Sequence, residues 1–451
     1  MKFDDLRKKY PQFIYEGFEM VSEEEGLKII FCFSTPPDIY FRPEMFFPNT
    51  TSIPQNLVFH LGMIELLSYW KATCSPHIII RAGYLNFEQI SWWKNFFVKS
   101  LGEFYYTNKI DFTNPDLVDF EIQTPKQKLK LHSRPSSNKD LLMIGGGKDS
   151  AVTLGIFEEA GREFGVFSLA PTKSALSIMA KVSKYQIFIK RSIDPKLIEL
   201  NNKGFLNGHT PISAVYAFYA LAAAIIFGFK NVIVSNEVSS NEGNVFYLGQ
   251  VINHQYSKSF EMEQYLRDYF QNYLSETVSF FSFLRPVNEL QISALFAGYP
   301  KFHKVFKSCN KGSKENIWCK MCPKCAFVYL MLYPFLCSKL NNIFGEDLLE
   351  NIALLPIFES LGQIQNKVKP FDCVGTKEEV VTAVYLALEK AKKEHKIPKV
   401  LEALKNNVLQ GNTDYGKEAE KILGYWNDEN NLPQEYVNLL KPKVHSLKAL
   451  I

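Results

Sequence analysis

Three observations predict an α/β fold with a parallel sheet at its centre. Strand-like apolar runs alternate with helix-like segments between about residues 139 and 335. One run, Leu141 to Ile144, ends in three glycines and leads straight into a helical pattern. Around this stretch lie an N-terminal α/β region and a C-terminal region that is mostly helical. Strands joined through helices run parallel, and the crossovers cover both faces of the sheet.

The elements follow in order. Residues 1–135 form the first region, read as an accessory or substrate domain. In it Leu57 to Trp70 is a buried helix, His77 to Ile80 a strand and Ser91 to Phe97 an aromatic helix. Polar Ser133 to Lys139 reads as a linker. In residues 136–338 the glycine strand is followed by a helix to Gly161. A strand at Phe164–Leu169, a helix at Ser174–Ser183 and a strand at Gln186–Ile189 come next. The long helix Ser213–Phe227 and the strand Asn231–Ser235 complete the alternation. Residues 339–451 carry an amphipathic helix at Glu378–Lys393 and a charged helical tail.

Composition narrows the class. An apolar fraction of 46% and a charged fraction of 22% suit a globular protein of two or three domains. The net charge of +4 argues against a dedicated nucleic-acid face. The opening Met1 to Tyr10 is polar, unlike a secretory signal. The longest apolar stretch, Ala214 to Phe229, is short for a membrane span. Eight cysteines, four of them within seventeen residues, suggest metal ligands in a reducing compartment, hence the cytoplasm. Nothing in the pattern dictates an oligomeric state.

The segment Gly145-Gly146-Gly147-Lys148-Asp149-Ser150 carries the chemistry. Glycines admit anionic oxygens to the main chain, and the free N–H groups of the following helix face that charge. Lys148 adds a cation and Ser150 a donor. A Walker A loop needs four residues before its Gly-Lys pair, and a dinucleotide fingerprint needs a third glycine where Ser150 stands. The segment resembles instead the SGGxDS pyrophosphatase loop of the adenine nucleotide alpha hydrolases, with Gly145 in place of the leading serine. That resemblance implies a HUP-like, Rossmann-like core, ATP as ligand, and cleavage between the alpha and beta phosphates. It also places Ser168 and Leu169, at the end of the second strand, near ribose or adenine. An ordinary glycine-rich turn is the competing reading.

Cys309, Cys319, Cys322 and Cys325 are spaced C-x9-C-x2-C-x2-C. Four thiolates so placed can close a tetrahedron around structural zinc. Buried free cysteines or a catalytic thiol pair are the alternatives. The cluster is similar to the zinc site of 7-cyano-7-deazaguanine synthases, which share the loop.

Other segments point elsewhere in the superfamily. Asn207-Gly208-His209-Thr210-Pro211, Asn253-His254-Gln255-Tyr256-Ser257-Lys258-Ser259, Trp318 to Cys325 and Lys369-Pro370-Phe371-Asp372-Cys373-Val374-Gly375 together resemble the ATP-dependent UDP-N-acetylmuramoyl-L-alanyl-L-glutamate epimerases of peptidoglycan synthesis. Phe59 to Gly62 and Ser68 to Lys71 add to the likeness, which runs from about residue 55 to about 375. The resemblance implies that the terminal L-glutamate of the nucleotide dipeptide becomes D-glutamate through an acyl-adenylate, with ATP and Mg2+ consumed or bound and AMP and diphosphate released. His209, His254, Asp372 and Cys373 are the acid/base candidates. Glu237, Asn244, Asn253, Tyr256, Ser257, Lys258 and Arg285 are the candidates for substrate contact. A nucleobase-modifying enzyme, such as a 7-cyano-7-deazaguanine synthase or a tRNA thiolase, is the second reading. A non-catalytic adenine-nucleotide binder is the third.

Overall fold

The computed structural model describes residues 2–126, 131–132, 137–182, 185–409 and 413–450. Residues 133–136 of the expected linker, and Ser183 at the end of one expected helix, lie outside them. The N-terminal region supplies strands β1 (Gln12–Glu23), β2 (Gly26–Thr35), β3 (Ile39–Phe41), β4 (Glu44–Pro48), β5 (His77–Ile80) and β6 (Asp119–Ile122). The central region supplies β7 (Asp140–Met143), β8 (Phe164–Leu169), β9 (Tyr185–Ser192) and β10 (Asn231–Val234). A small hairpin, β11 (Val245–Tyr247) and β12 (Gln250–Ile252), precedes the last strand, β13 (Ser279–Ser282).

Eleven of these strands share one mixed sheet, in the order β13-β10-β7-β8-β9-β4-β2-β1-β5-β6, with β3 beside β2. From β13 to β9 every neighbour is parallel. The chain places β8 and β9 on one side of β7, and β10 and β13 on the other. The order therefore reverses at β7, and open parallel sheets bind ligands at such a reversal, outside the carboxyl ends of the strands. The glycine loop leaves the carboxyl end of β7.

Neighbouring residues of these strands feed two cores. Leu141, Val232 and Phe280 face a core shared with the N-terminal region. Leu142, Ile233 and Phe281 face a core shared with the C-terminal helices. A strand covered on both faces needs no polar alternation, and all six residues of β8 are buried. On the first face the apolar helix Ile212–Phe227 packs against the helix Gln55–Trp70 and the sheet. On the second, the helix Lys148–Glu159 packs against Glu289–Ala297, which in turn meets Pro323–Leu336. The expected central strands and helices all form, with ends shifted by a few residues. The long hairpin β1–β2 and the fifth parallel strand β13 are additions that the sequence pattern did not single out.

The N-terminal sheet is not a separate layer. β4 pairs antiparallel with β9, Met45 opposite Arg191, so the two regions share backbone hydrogen bonds. At the same junction Arg191 makes a two-pronged ion pair with Glu65, both contacts 2.8 Å, and Glu65 is fully buried. Removing one partner leaves a buried charge uncompensated. Glu65→Ala is expected to lower unfolding free energy by about 3 kcal/mol in urea titration, more than exposed pairs cost.

Candidate active site

At the loop, Gly147 caps the helix Lys148–Glu159 without any side-chain bond. Gly146 holds a φ of +94°, and a Cβ there would lie 2.8 Å from the Ala175 nitrogen and overlap Ser174. Only glycine fits. A Cβ on Gly145 would meet open space, so this loop face is free for a ligand. Ser168 donates to the Ile144 carbonyl at 3.0 Å, and Ser150 donates to the Gly147 carbonyl at 3.2 Å. Both hydroxyls brace the loop. The Leu169 side chain sits in the first core.

Beyond the loop, charged groups are stacked closely. Lys148 is 1% exposed and is ion-paired with Asp149 and Glu289. Burial pulls its pKa down, but the two carboxylates outweigh burial and hold it above the usual range. Glu289 opens its own helix, whose first turn is closed by an Asn288–Gln291 capping box. Carboxylate oxygens of Asp149, Glu237 and Glu289 all lie within 4.8 Å of one another. Burial, then Glu289, pushes Glu237 up to about 7. Three hard oxygen ligands so close, repelling each other, form a donor set that suits a divalent cation.

Two more lysines connect this cluster to a thiol. Lys258 is held above its usual range: burial opposes its charge, but Cys373, Glu237, Asp149 and Glu289 favour it more. Lys324 lies 3.8 Å from Glu289 and donates to the Cys373 carbonyl. Burial alone would raise the Cys373 thiol, yet Lys258, the hydrogen bond from His254, and Lys324 bring it down to about 6.

His254 lies between that thiol and Glu103, to which its Nδ1 is hydrogen-bonded. Burial disfavours its charge, but Cys373 and Glu103 hold it up at about 9. His209 also approaches Glu103, Nδ1 to Oε2 at 3.2 Å, with its ring centroid 4.7 Å from that of His254. Burial and His254 push His209 down to about 4. Asp372 accepts from Asn310, and its pKa is raised mainly by burial. Thus three of the four acid/base candidates converge on one point, and Asp372 flanks it in sequence.

Several substrate candidates have internal partners. Every nitrogen of the Arg285 guanidinium is bonded: Nε to Glu263 at 3.0 Å, the others to the Glu237 and Lys258 carbonyls and to Ser240. Asn244 bridges the Pro370 carbonyl and the His254 amide, both at 2.8 Å. Asn253 bonds the Ser240 carbonyl and the Gln255 amide. These side chains fix the turn that presents His254 and Lys258, and Ser257 is buried within it. Tyr256 and Asn253 line a cleft of about 1170 Å3, which no glycine-loop residue borders.

The four cysteine sulfurs also lie within 4.8 Å of one another. Amides of Gly312 and Cys319 point at the Cys309 sulfur, and that of Cys325 at Cys322. Cys322 caps the helix that carries Lys324. The segment before the cluster returns to the loop, where the Lys307 amide donates to the Gly146 carbonyl at 2.9 Å.

Residues 4–283 match the family model described as the MurL N-terminal domain, and residues 305–418 match that of the MurL C-terminal domain. The chain belongs to the MurL family. Among its relatives is a UDP-N-acetyl-alpha-D-muramoyl-L-alanyl-L-glutamate epimerase of Salinispora tropica, 33% identical over 339 residues, 73% of each chain. Proteins of the same name from Xanthomonas oryzae pv. oryzae and a Micromonospora species are also 33% identical, over 76% of this chain and 76% of the relative, and over 73% and 74%, respectively. The charged cluster straddles the two matched MurL segments. Glu103, Asp149, Glu237, His254 and Lys258 come from the first, Lys324 and Cys373 from the second, and Glu289 from the stretch between them. Glu103 and Glu289 escaped the sequence reading. An acid opening an otherwise apolar helix was the available sign for Glu289.

A thiol with a lowered pKa stays ionised at neutral pH and protonates only as pH falls through the lowered value. Alkylation of Cys373 by iodoacetamide, followed by peptide mass spectrometry, is expected to reach half its plateau near pH 6. Lys258→Met should move that midpoint upward.

Proposed function

We propose that this chain is an ATP-dependent epimerase that converts the terminal L-glutamate of UDP-N-acetylmuramoyl-L-alanyl-L-glutamate to D-glutamate, releasing AMP and diphosphate. One observation carries the reading: a single cluster of charged side chains joins the glycine loop to the Cys373–His254 pair through Lys258 and Lys324. The names borne by its MurL relatives agree with it.

The chemistry explains why both ends are needed. Removing the alpha proton of a free glutamate develops negative charge beside a carboxylate that is already negative. Adenylation removes that obstacle. A carboxylate oxygen bonds to the alpha phosphorus of ATP as the bond to the beta phosphate breaks, giving the acyl-adenylate and diphosphate. After epimerisation, water cleaves the acyl–phosphate bond and returns the carboxylate and AMP. The amides of the Gly145–Gly147 loop and Lys148 bind phosphate oxygens. Ser168 acts indirectly, by holding the loop. Asp149, Glu237 and Glu289 are the residues to hold magnesium, which offsets phosphate charge.

Cys373, already a thiolate, accepts the alpha proton, and the His254 imidazolium holds the thiolate in place. His209 and Asp372 are the candidates for returning a proton on the opposite face. The four cysteines hold zinc as a structural ion, which fixes the helix start bearing Lys324; four thiolates and three amide donors suit that role. A reducing, ATP-containing compartment, the cytoplasm, fits such thiolates. Among the described residues no helix is long and apolar enough to cross a membrane. The cysteine cluster also favours a second reading, a nucleobase-modifying enzyme built on the same loop.

Incubation with magnesium-ATP and the UDP-muramoyl dipeptide is expected to release AMP and, after acid hydrolysis, to yield D-glutamate only when ATP is present. AMP without D-glutamate would transfer the assignment to nucleobase substrates, and ATP binding without AMP would favour a mere binder. Cys373→Ser should slow D-glutamate formation by about 100-fold or more, the range of a lost general base. Metal analysis of purified protein should find about one zinc per chain, lost in Cys322→Ser, as expected for a four-thiolate site.

A further inference from the structure

We propose that Glu103 is the positioning residue of this site: one of its carboxylate oxygens holds the Nδ1–H of His254, so that His254 presents its other nitrogen to Cys373. This assignment rests on the epimerase reading only for its role in turnover. The hydrogen-bond geometry stands by itself.

The geometry is specific. The Nδ1 atoms of His254 and His209 approach the same atom, Glu103 Oε2. A carboxylate can only accept, so the His254 ring, hydrogen-bonded to that oxygen, carries hydrogen on Nδ1, while His209 approaches the same oxygen at 3.2 Å. The other ring nitrogen of His254 is then the one turned to the thiol, as in other acid/base histidines oriented by a carboxylate. Each partner is fixed independently. Glu103 lies in the first turn of the helix Gly102–Asn108. A Cβ on Gly102 would sit 3.2 Å from Ile252, so hairpin strand β12 presses against the start of that helix. The His254 amide is held by Asn244 at 2.8 Å. The His209 segment is clamped by Lys71, whose ammonium donates to the Gly208 carbonyl at 2.6 Å, the His209 carbonyl at 2.9 Å and the Thr210 hydroxyl. Asn108, from the Glu103 helix, bonds the Asn207 carbonyl at 3.0 Å. Three separate chain segments thus meet at one oxygen.

The charges facing the pair are known from every side. Glu103, His209 and Asp372 face His254; Lys258, Lys324 and His254 face Cys373; Lys71 faces Glu103 and His209. Against this background the two possible roles of Glu103 predict opposite signs. A carboxylate that acted on Cys373 only as a nearby negative charge would raise the thiol's pKa, and its removal would ease ionisation. A carboxylate that acts through His254 sustains the imidazolium, and its removal would make ionisation harder.

The test is the pH profile of Cys373 alkylation in full-length protein without substrate, for wild type, Glu103→Gln and Glu103→Asp. The proposal expects Glu103→Gln to move the midpoint up by about one pH unit, with Glu103→Asp close to wild type. A midpoint that stays or falls in Glu103→Gln, with circular dichroism unchanged, overturns it. If Glu103→Gln does not fold, the nitrogen-15 chemical shifts of His254 in the wild type decide: a ring protonated at Nδ1 through the neutral range supports the proposal, and a ring without hydrogen on Nδ1 overturns it. Because no turnover is measured, a failed epimerase assay leaves this result readable. Where turnover is found, Glu103→Gln should lower kcat about tenfold or more with little change in KM, the pattern of a group that acts on the chemical step.

Discussion

Charge compensation inside a crowded, buried cluster governs this structure. Asp149, Glu237 and Glu289 are brought within 4.8 Å of each other, with Glu237 and Glu289 almost wholly buried. Ionised carboxylates so placed are costly unless cations stand beside them. Three lysines do so, and each arrives by a different device. The glycine turn after β7 delivers Lys148. The short turn Tyr256–Lys258 delivers Lys258, and Arg285 ties its carbonyl to Glu263 and Glu237. The helix start behind Cys322 delivers Lys324.

Arg285 and the cysteine cluster gain their significance from this arrangement. A guanidinium offers a fixed fork of donors, which suits the joining of several carbonyls and a carboxylate in a buried place. Arg285 uses the fork to hold the Glu237 and Lys258 segments together, so the acid and the lysine reach the cluster in register. The cysteines act at the other wall. They fold the chain back so that the Lys307 amide meets the Gly146 carbonyl while Lys324 meets Glu289. Loop and knuckle are therefore two sides of one construction.

Much of the central fold was legible because its signals are local. A parallel strand covered on both faces is buried along its whole length and mostly apolar, and β8 and β10 are such runs. A strand that ends in glycines and enters a helix names its own turn. The strand β13, only four residues with serine at both ends, carries too little pattern to stand out. Likewise β1 is buried near its start and exposed through its second half, so its pairing with β2 and β5 is a tertiary fact. The site divides in the same way. Gly145 to Ser150, the cysteines, His254 and Cys373 sit in compact motifs. Glu103 and Glu289 sit in none, since each is an acid in the first turn of a helix, a placement that helix electrostatics explains without any site.

That last point separates what a motif can disclose from what a fold must supply. A motif reveals groups whose neighbours in space are also neighbours in sequence, such as Lys148 and Asp149. The groups that set protonation come from a distance: Glu103 is 151 residues from His254, and Glu289 is 141 from Lys148. Each of these acids meets a partner whose reactivity depends on charge at close range, where reduced solvent screening makes one carboxylate decisive. The motif residues bring Lys148, His254 and Cys373, and the mixed sheet, by joining β4 to β9, provides the distance over which their electrostatic partners are delivered. In this chain the N-terminal region therefore sets the electrostatics of the cluster: without it His254 would keep its thiol and lose the carboxylate that charges it.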